Sequence, residues 1–511
     1  MRHIAPALAL LCVACATTDV RPDEKADDKP DVAPPPFAAY VPPKEPPDPP
    51  ARDDSAPVLI RNATILTAAG GSFPRGHILL DKGRIRSVGE GPGAAPDGAT
   101  VIDAQGRFVT PGLIDSHSHL GVYPLPSVAA HWDGNEATRP VTAEVWAEHS
   151  FWPQDPSIWR ALSGGVTTIQ VLPGSANLIG GRSFVAKLRP DVSARLMRFP
   201  GAPQGLKMAC GENPKRVYGS RYSAPSTRMG NVAGYRAAFQ RALEYKRRWD
   251  KYARDLALWQ KKQDDKAEEQ ADDDDKAQEK RATKRAKKKG DDKPDDPPEP
   301  PARDLQLETL AAVLDGKLLV HNHCYRADEM SLMLDLAKEY GFHIRSFHHA
   351  LEAYKIRHRL AEEGVATSTW ADWWGFKMEA FDGIPQNLAM LADAGARAIV
   401  HSDSETDIRH LNQEAQKARV AGRKVGIELD DNEVLRWVTA NPAWALGVDD
   451  QVGTLEVGKM ADVVVWDQHP FSVYARATKV FIDGELVYDR DEGVLPLSDF
   501  ELGITDPREQ P

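Results

Sequence analysis

Phe108-Val109-Thr110-Pro111-Gly112-Leu113-Ile114-Asp115-Ser116-His117-Ser118-His119 is an apolar run that closes on two histidines. The run reads as a buried strand. Successive strand side chains point to opposite faces, so His117 and His119 share a face, about 7 Å apart along the chain. Two imidazoles so placed can close on one cation. A lone His-x-His is a weak signal, but this one ends an apolar strand behind Pro111-Gly112.

The theme recurs along the chain. Gly165–Val171 reads as a strand, and so does Leu206–Cys210, which runs into Gly211-Glu212-Asn213. Leu318–His323 is an apolar run ending in His-Asn-His, followed by a helical pattern over Ala327–Glu339. Ile344–His349 ends in two histidines, Val365–Trp370 precedes an aromatic-rich loop, and Ala398–Asp403 ends in a carboxylate. Strands alternating with helices over this length imply a parallel βα architecture. Histidines and carboxylates at the C-terminal ends of several strands are what a metal site in a βα-barrel requires.

This set resembles the amidohydrolase superfamily of metal-dependent hydrolases, and within it a branch similar to imidazolonepropionase and bacterial Xaa-Pro dipeptidases. The likeness covers about residues 57–490. Asn441-Pro442-Ala443 and Gly453–Val465 are like the family's closing segments. The resemblance implies an α/β fold: a (β/α)8 TIM-like barrel over 111–448, beside a small discontinuous β-sandwich built from 57–110 and 449–490.

It also implies roles. His117 and His119 are expected to ligate a first metal, with Asp403 as a further ligand and proton shuttle. His321 is expected to ligate from the fifth strand, with His323 orienting substrate. His348 and His349 are neighbours on a strand and face opposite sides, so one of them is expected to ligate; the family's ligand just before a short loop favours His349. The bridging ligand is left between Lys207, which would be carboxylated, and Glu212. Histidine-rich ligation suits zinc, one or two ions per chain, with Mn, Ni or Fe open. The expected reaction is cleavage of a C–N amide bond in a small peptide or cyclic amide by a metal-activated hydroxide. The rivals are a superfamily deaminase and a non-catalytic binding lipoprotein. Trp370, Trp373 and Trp374, with Arg326 and Lys377, would wall a site for a small substrate with an anionic end. Cys210 and Cys324 are read as buried small residues rather than a disulfide, and His131, His149, His358 and His410 as structural.

The ends carry another message. Residues 1–15, MRHIAPALALLCVAC, pair a basic start with a short apolar stretch closing on Cys15, and resemble a bacterial lipoprotein signal. Residues 16–56 form a Pro/Asp-rich tether. The expected location is therefore the periplasm, with a lipid anchor on the envelope. A charged insertion is read over 245–304, opening as a helix through Trp249, Tyr252, Leu256 and Trp259, and a tail over 491–511.

Composition sets the bounds. The 511 residues are 41% hydrophobic, enough for a substantial core. With 64 Lys+Arg against 75 Asp+Glu, the net charge of −11 argues against a nucleic-acid partner. Four cysteines exclude a disulfide scaffold.

Overall fold

The computed structural model describes residues 49, 52–279, 296–373 and 375–492. The signal at 1–15, nearly all of the tether, part of the charged insertion, Trp374 and nearly all of the tail lie outside the described residues. Two compact units are present, one from residues 1–44 and 256–298, the other from 45–255 and 299–511. In the first, the described part is chiefly the end of the helix Arg228–Glu279 from Leu256 onward, which carries Leu256 and Trp259 of the predicted pattern. Among the described residues no helix is long and apolar enough to cross a membrane.

The chain enters through β1 (Val58–Leu66), β2 (Ser72–Asp81), β3 (Arg84–Glu90), β4 (Thr100–Asp103) and β5 (Phe108–Pro111). It continues through β6 (Leu113–Ser118), β7 (Val166–Val171), β8 (Ile179–Lys187), β9 (Gly205–Ala209), β10 (Leu319–Cys324), β11 (Ile344–His349), β12 (Ala366–Thr369) and β13 (Ala398–Val400). It ends in β14 (Val463–Trp466), β15 (Ala477–Ile482) and β16 (Glu485–Asp489).

Both chain ends meet in one eight-stranded sheet, ordered β16-β15-β14-β5-β1-β2-β3 with β4 also on β1. The joint is the antiparallel pair β5–β14, with Val109 opposite Val465. Ile60, Ile65, Ile78, Leu80, Val109, Val463 and Phe481 form its buried cluster. Lys187 at the end of β8 ties this sheet to the barrel. Its buried ammonium pairs with Asp462 at 3.0 Å and with Asp483.

The strands β6 to β13 form a second eight-stranded sheet in sequence order. It nearly closes into a barrel. Across the seam, the Asp403 N–H donates to the His117 carbonyl at 3.0 Å. The helix Ala327–Tyr340 follows β10 as the pattern predicts. One strand departs from the expected all-parallel (β/α)8 order: β8 runs antiparallel to both β7 and β9. The reason is local. A helical crossover is needed to return a strand parallel, but only Leu172–Leu178, with the turn-forming run Pro173-Gly174-Ser175-Ala176-Asn177, separates β7 from β8.

Gly112, flagged by its place behind Pro111, lets β6 leave β5 at close quarters. A Cβ there would stand 2.1 Å from the Thr167 hydroxyl.

Cys210 and Cys324 are bonded to each other, which corrects their reading as free buried residues. Strand pairing explains the bond. β9 and β10 are parallel neighbours with Ala209 opposite His323, so the next residue of each strand meets the other. The bridge closes a separation of 114 residues. Replacing both cysteines with serine is expected to cost about 2–4 kcal/mol, read as a lowered urea midpoint. An unchanged midpoint would show that the bridge adds nothing to stability.

Candidate metal centre

The parallel strands of the barrel end at one mouth, and the predicted residues gather there. His117 and His119 sit at the end of β6 on one face. Their ring centres are 5.0 Å apart. Asp403 follows β13, and its Oδ1 lies 3.1 Å from His119 Nε2 and 3.4 Å from His117 Nε2. The donor atoms of His117, His119 and Asp403 all lie within 4.8 Å of one another, and those of His117, His349 and His401 do the same.

Backbone geometry places His349. Strand alternation would turn it away from His348, but His349 has φ +70° and Ala350 φ +40°, so the chain kinks at the strand end. Both imidazoles therefore reach His117, each with ring centres 4.8 Å away. They sit differently. His348 lies deeper, in contact with His117 (Nδ1 to Nδ1, 2.9 Å) and His321 (Nε2 to Nδ1, 2.9 Å). His349 Nδ1 lies 3.8 Å from Asp403 Oδ2.

The two histidines of β10 also divide. His321 is level with Lys207 in the register and makes its contact with His348. His323 is nearer the mouth, its ring 4.4 Å from that of His349. Lys207 is buried, with Nζ 3.2 Å from His117 Nε2. Glu212 stands apart from that contact, at the start of the helix Glu212–Gly219, with Lys377 Nζ at 3.6 Å.

The electrostatics follow from burial. Desolvation pushes His321 and His401 down to about 3, and holds His117, His323, His348 and His349 well below the usual imidazole range. These rings are neutral at pH 7 and keep a lone pair each. Burial likewise brings the Lys207 ammonium down to about 7, against the pull of Asp403. For Asp403 burial acts upward, but the neighbouring His119, His401 and Lys207 outweigh it and hold the carboxyl below its usual range.

Asp115 fastens the frame. Its buried carboxylate accepts from the His117 N–H at 3.0 Å, the Ser402 N–H at 3.1 Å and the Ser402 hydroxyl. It thereby ties β6 to the segment that carries Asp403.

The donor set fits a divalent cation. His321 Nε2, His323 Nδ1, His349 Nδ1 and His401 Nδ1 are buried without a hydrogen-bond partner. Four orphaned nitrogens in one buried cluster would be costly unless something with positive charge met them.

Above the cluster, Trp370 stacks on His349 at 4.7 Å and on Trp373 at 4.9 Å, and its Nε1 donates to the Ser402 carbonyl at 2.8 Å. Lys377 Nζ lies 3.8 Å from the Tyr325 ring centre. Arg326 is not brought into this group: its guanidinium is held by Asp328 at 2.9 and 3.0 Å. Two residues escaped the sequence reading. His401 has the same two-residue spacing to Asp403 that His117 has to His119, a signal that was present. Tyr325, buried and stacked on His349 at 5.0 Å, had no such marker.

The chain is similar to several known proteins. Residues 381–487 match the Amidohydrolase family. A crystal structure of an amidohydrolase from Thermotoga maritima is 33% identical, with a TM-score of 0.69 over 85% of this chain and 100% of that one. The amidohydrolase tasK of Hapsidospora irregularis is 34% identical over 463 residues, 85% of this chain; the chain spans 43% of tasK's length. A 5-methylthioadenosine/S-adenosylhomocysteine deaminase of Desulforudis audaxviator is 25% identical over 443 residues, 80% of this chain and 84% of that protein. The chain belongs to the amidohydrolase family. It is a member of a family of enzymes that hydrolyse C–N bonds.

Proposed function

We propose that the protein is a metal-dependent hydrolase that cleaves the C–N bond of a small peptide or cyclic amide. The observation that carries this reading is the pair of donor groups that share His117, one with His119 and Asp403 and the other with His349 and His401, whose Nδ1 atoms have no hydrogen-bond partner. His117, His119, His349 and Asp403 would hold the cation, with zinc preferred. His323 is the better ligand from β10, because His321 lies behind His348. Lys207, once carboxylated, would be the further ligand rather than Glu212, because its Nζ lies 3.2 Å from His117 Nε2. A bound divalent cation supplies Lewis acidity, polarising a carbonyl and acidifying water. Asp403 accepts the proton of the attacking water and delivers it to the leaving nitrogen. Trp370 and Tyr325 flank His349 and keep water from that side, while Lys377 offers a cation to an anionic substrate end.

The test is metal content by elemental mass spectrometry. The protein is expected to carry about one or two ions per chain, lost or halved in His117→Ala/His119→Ala. No metal in either sample after incubation with zinc or manganese would sink the reading.

The deaminase relative favours a second reading, release of ammonia from an aminopurine. Against it, Cys324-Tyr325-Arg326 follows His323, where the deaminase reading needs a glutamate acid/base. Ammonia release without peptide cleavage would decide for it.

We also infer export and lipid anchoring through Cys15. The buried Cys210–Cys324 bridge supports an oxidising compartment. Cys15→Ala is expected to abolish palmitate labelling and membrane association; unchanged labelling would remove the inference.

A further inference from the structure

A second concavity, of about 550 Å³, is lined by two stretches of chain. One contributes Trp146, His149, Phe151 and Pro153; the other contributes Val192, Ala194 and Arg195. Arg198 from the second stretch pairs with Glu148 from the first and joins the two. The aromatic side is preformed. His149 stacks parallel to Trp146 at 5.2 Å, and the Arg182 guanidinium lies 4.7 Å from the indole centre. None of these residues belongs to the metal centre. His149 and Val192 are exposed, Val192 at 88%.

The chain itself approaches this groove. Arg52 donates to Asp191 at 3.1 Å and also pairs with Glu485 at 3.4 Å. Asp191 immediately precedes Val192, so Arg52 is fixed beside one wall. The seven residues before it read Glu45-Pro46-Pro47-Asp48-Pro49-Pro50-Ala51. Two proline pairs at a three-residue interval match the polyproline II repeat, which puts Pro46 and Pro49 on one edge and Pro47 and Pro50 on the next. Such a segment spans about 20 Å at 3.1 Å per residue, long enough to cross the groove from Asp191. Its stiffness lowers the entropy lost on docking, and aromatic-lined grooves are its usual receptors. Charge agrees as well: Glu45 and Asp48 come from the segment, and Arg195 stands in the groove wall beside the paired Arg198 and Glu148. Pro49, the one residue described within the segment, is half-buried.

We propose that the groove beside Asp191 is the seat of the chain's own segment Glu45–Ala51, which docks there as a polyproline II strand. The tether is then free only up to about Glu45. This does not depend on the metal centre or on its reaction.

Limited trypsin digestion of the full chain, followed by mass spectrometry, tests it. Lys44 abuts the segment and Lys25 lies well before it. Cleavage after Lys44 is expected to be about tenfold slower than after Lys25, because it follows the undocked fraction. Trp146→Ala/His149→Ala should bring the two rates together. Asp48→Lys, which leaves the groove and the residues at the Lys44 cleavage site unaltered, should do the same. Equal rates in the unaltered chain would overturn the proposal, and so would a rate ratio that neither variant moves.

Discussion

Asp403→Asn is expected to lower kcat by about a thousandfold or more on any substrate found in a dipeptide and cyclic-amide screen, with the fold intact. The substitution keeps size and shape. It also keeps the Asp403 N–H bond to the His117 carbonyl, so the barrel seam survives. What it removes is the oxygen that can take and return a proton. Asp403 is well placed to do so, with Oδ1 within 3.1–3.4 Å of two imidazoles. Its neighbours hold the carboxyl below its usual range despite burial, so it is ionised at neutral pH and ready to accept. A structural role alone would shift the thermal midpoint and leave kcat largely unchanged. The proton-transfer role predicts the reverse. Activity within a few-fold of the parent protein, on a confirmed substrate, would remove Asp403 from the reaction.

Much of this site was legible because strand periodicity is a strong constraint. His117 and His119 had to share a face once the run Phe108–Ile114 was read as a strand, and Asp403 had to stand at a strand end. The limits came where the backbone leaves its regular form. His349 reaches the cluster beside His348 only because of its positive φ, which alternation cannot foresee. Glu212 is carried off by Gly211, whose φ of +81° ends the β9 direction and starts a helix. The reversal of β8 is a property of a seven-residue connection, and the apolar pattern of the strand is the same in either direction. The Cys210–Cys324 bond depends on the register of two strands separated by 114 residues, which neither cysteine announces. Periodicity thus reported faces, while kinks, direction and register needed the three-dimensional neighbours.

The same crowding of imidazoles makes the metal-free protein acid-sensitive. Its urea midpoint is expected to fall steeply between pH 7 and pH 5. For His321 and His401 the folded value is about 3, against an unfolded value of about 6.5. Below pH 6.5 the unfolded chain therefore takes up protons that the folded chain refuses. Stability is full above 6.5, declines as pH falls, and stops declining only near 3. Each such ring costs about 1.4 kcal/mol per pH unit inside that window, or about 2 kcal/mol by pH 5. His117, His323, His348 and His349 act in the same direction. Asp115 opposes them: burial raises it to about 7, so the folded state binds its proton first and gains stability as pH falls from 7 to about 4. One carboxyl offsets little more than one imidazole, so six imidazoles prevail. Lys207 is neutral in this balance, because its folded value of about 7 confines its effect to higher pH. His321→Gln isolates the cause, since His321 contacts His348 rather than Asp403. It should flatten the slope by about one proton's worth, 1.4 kcal/mol per unit. A midpoint that stays level to pH 5 in chelator would mean that the cluster is already protonated or hydrated when no metal is bound.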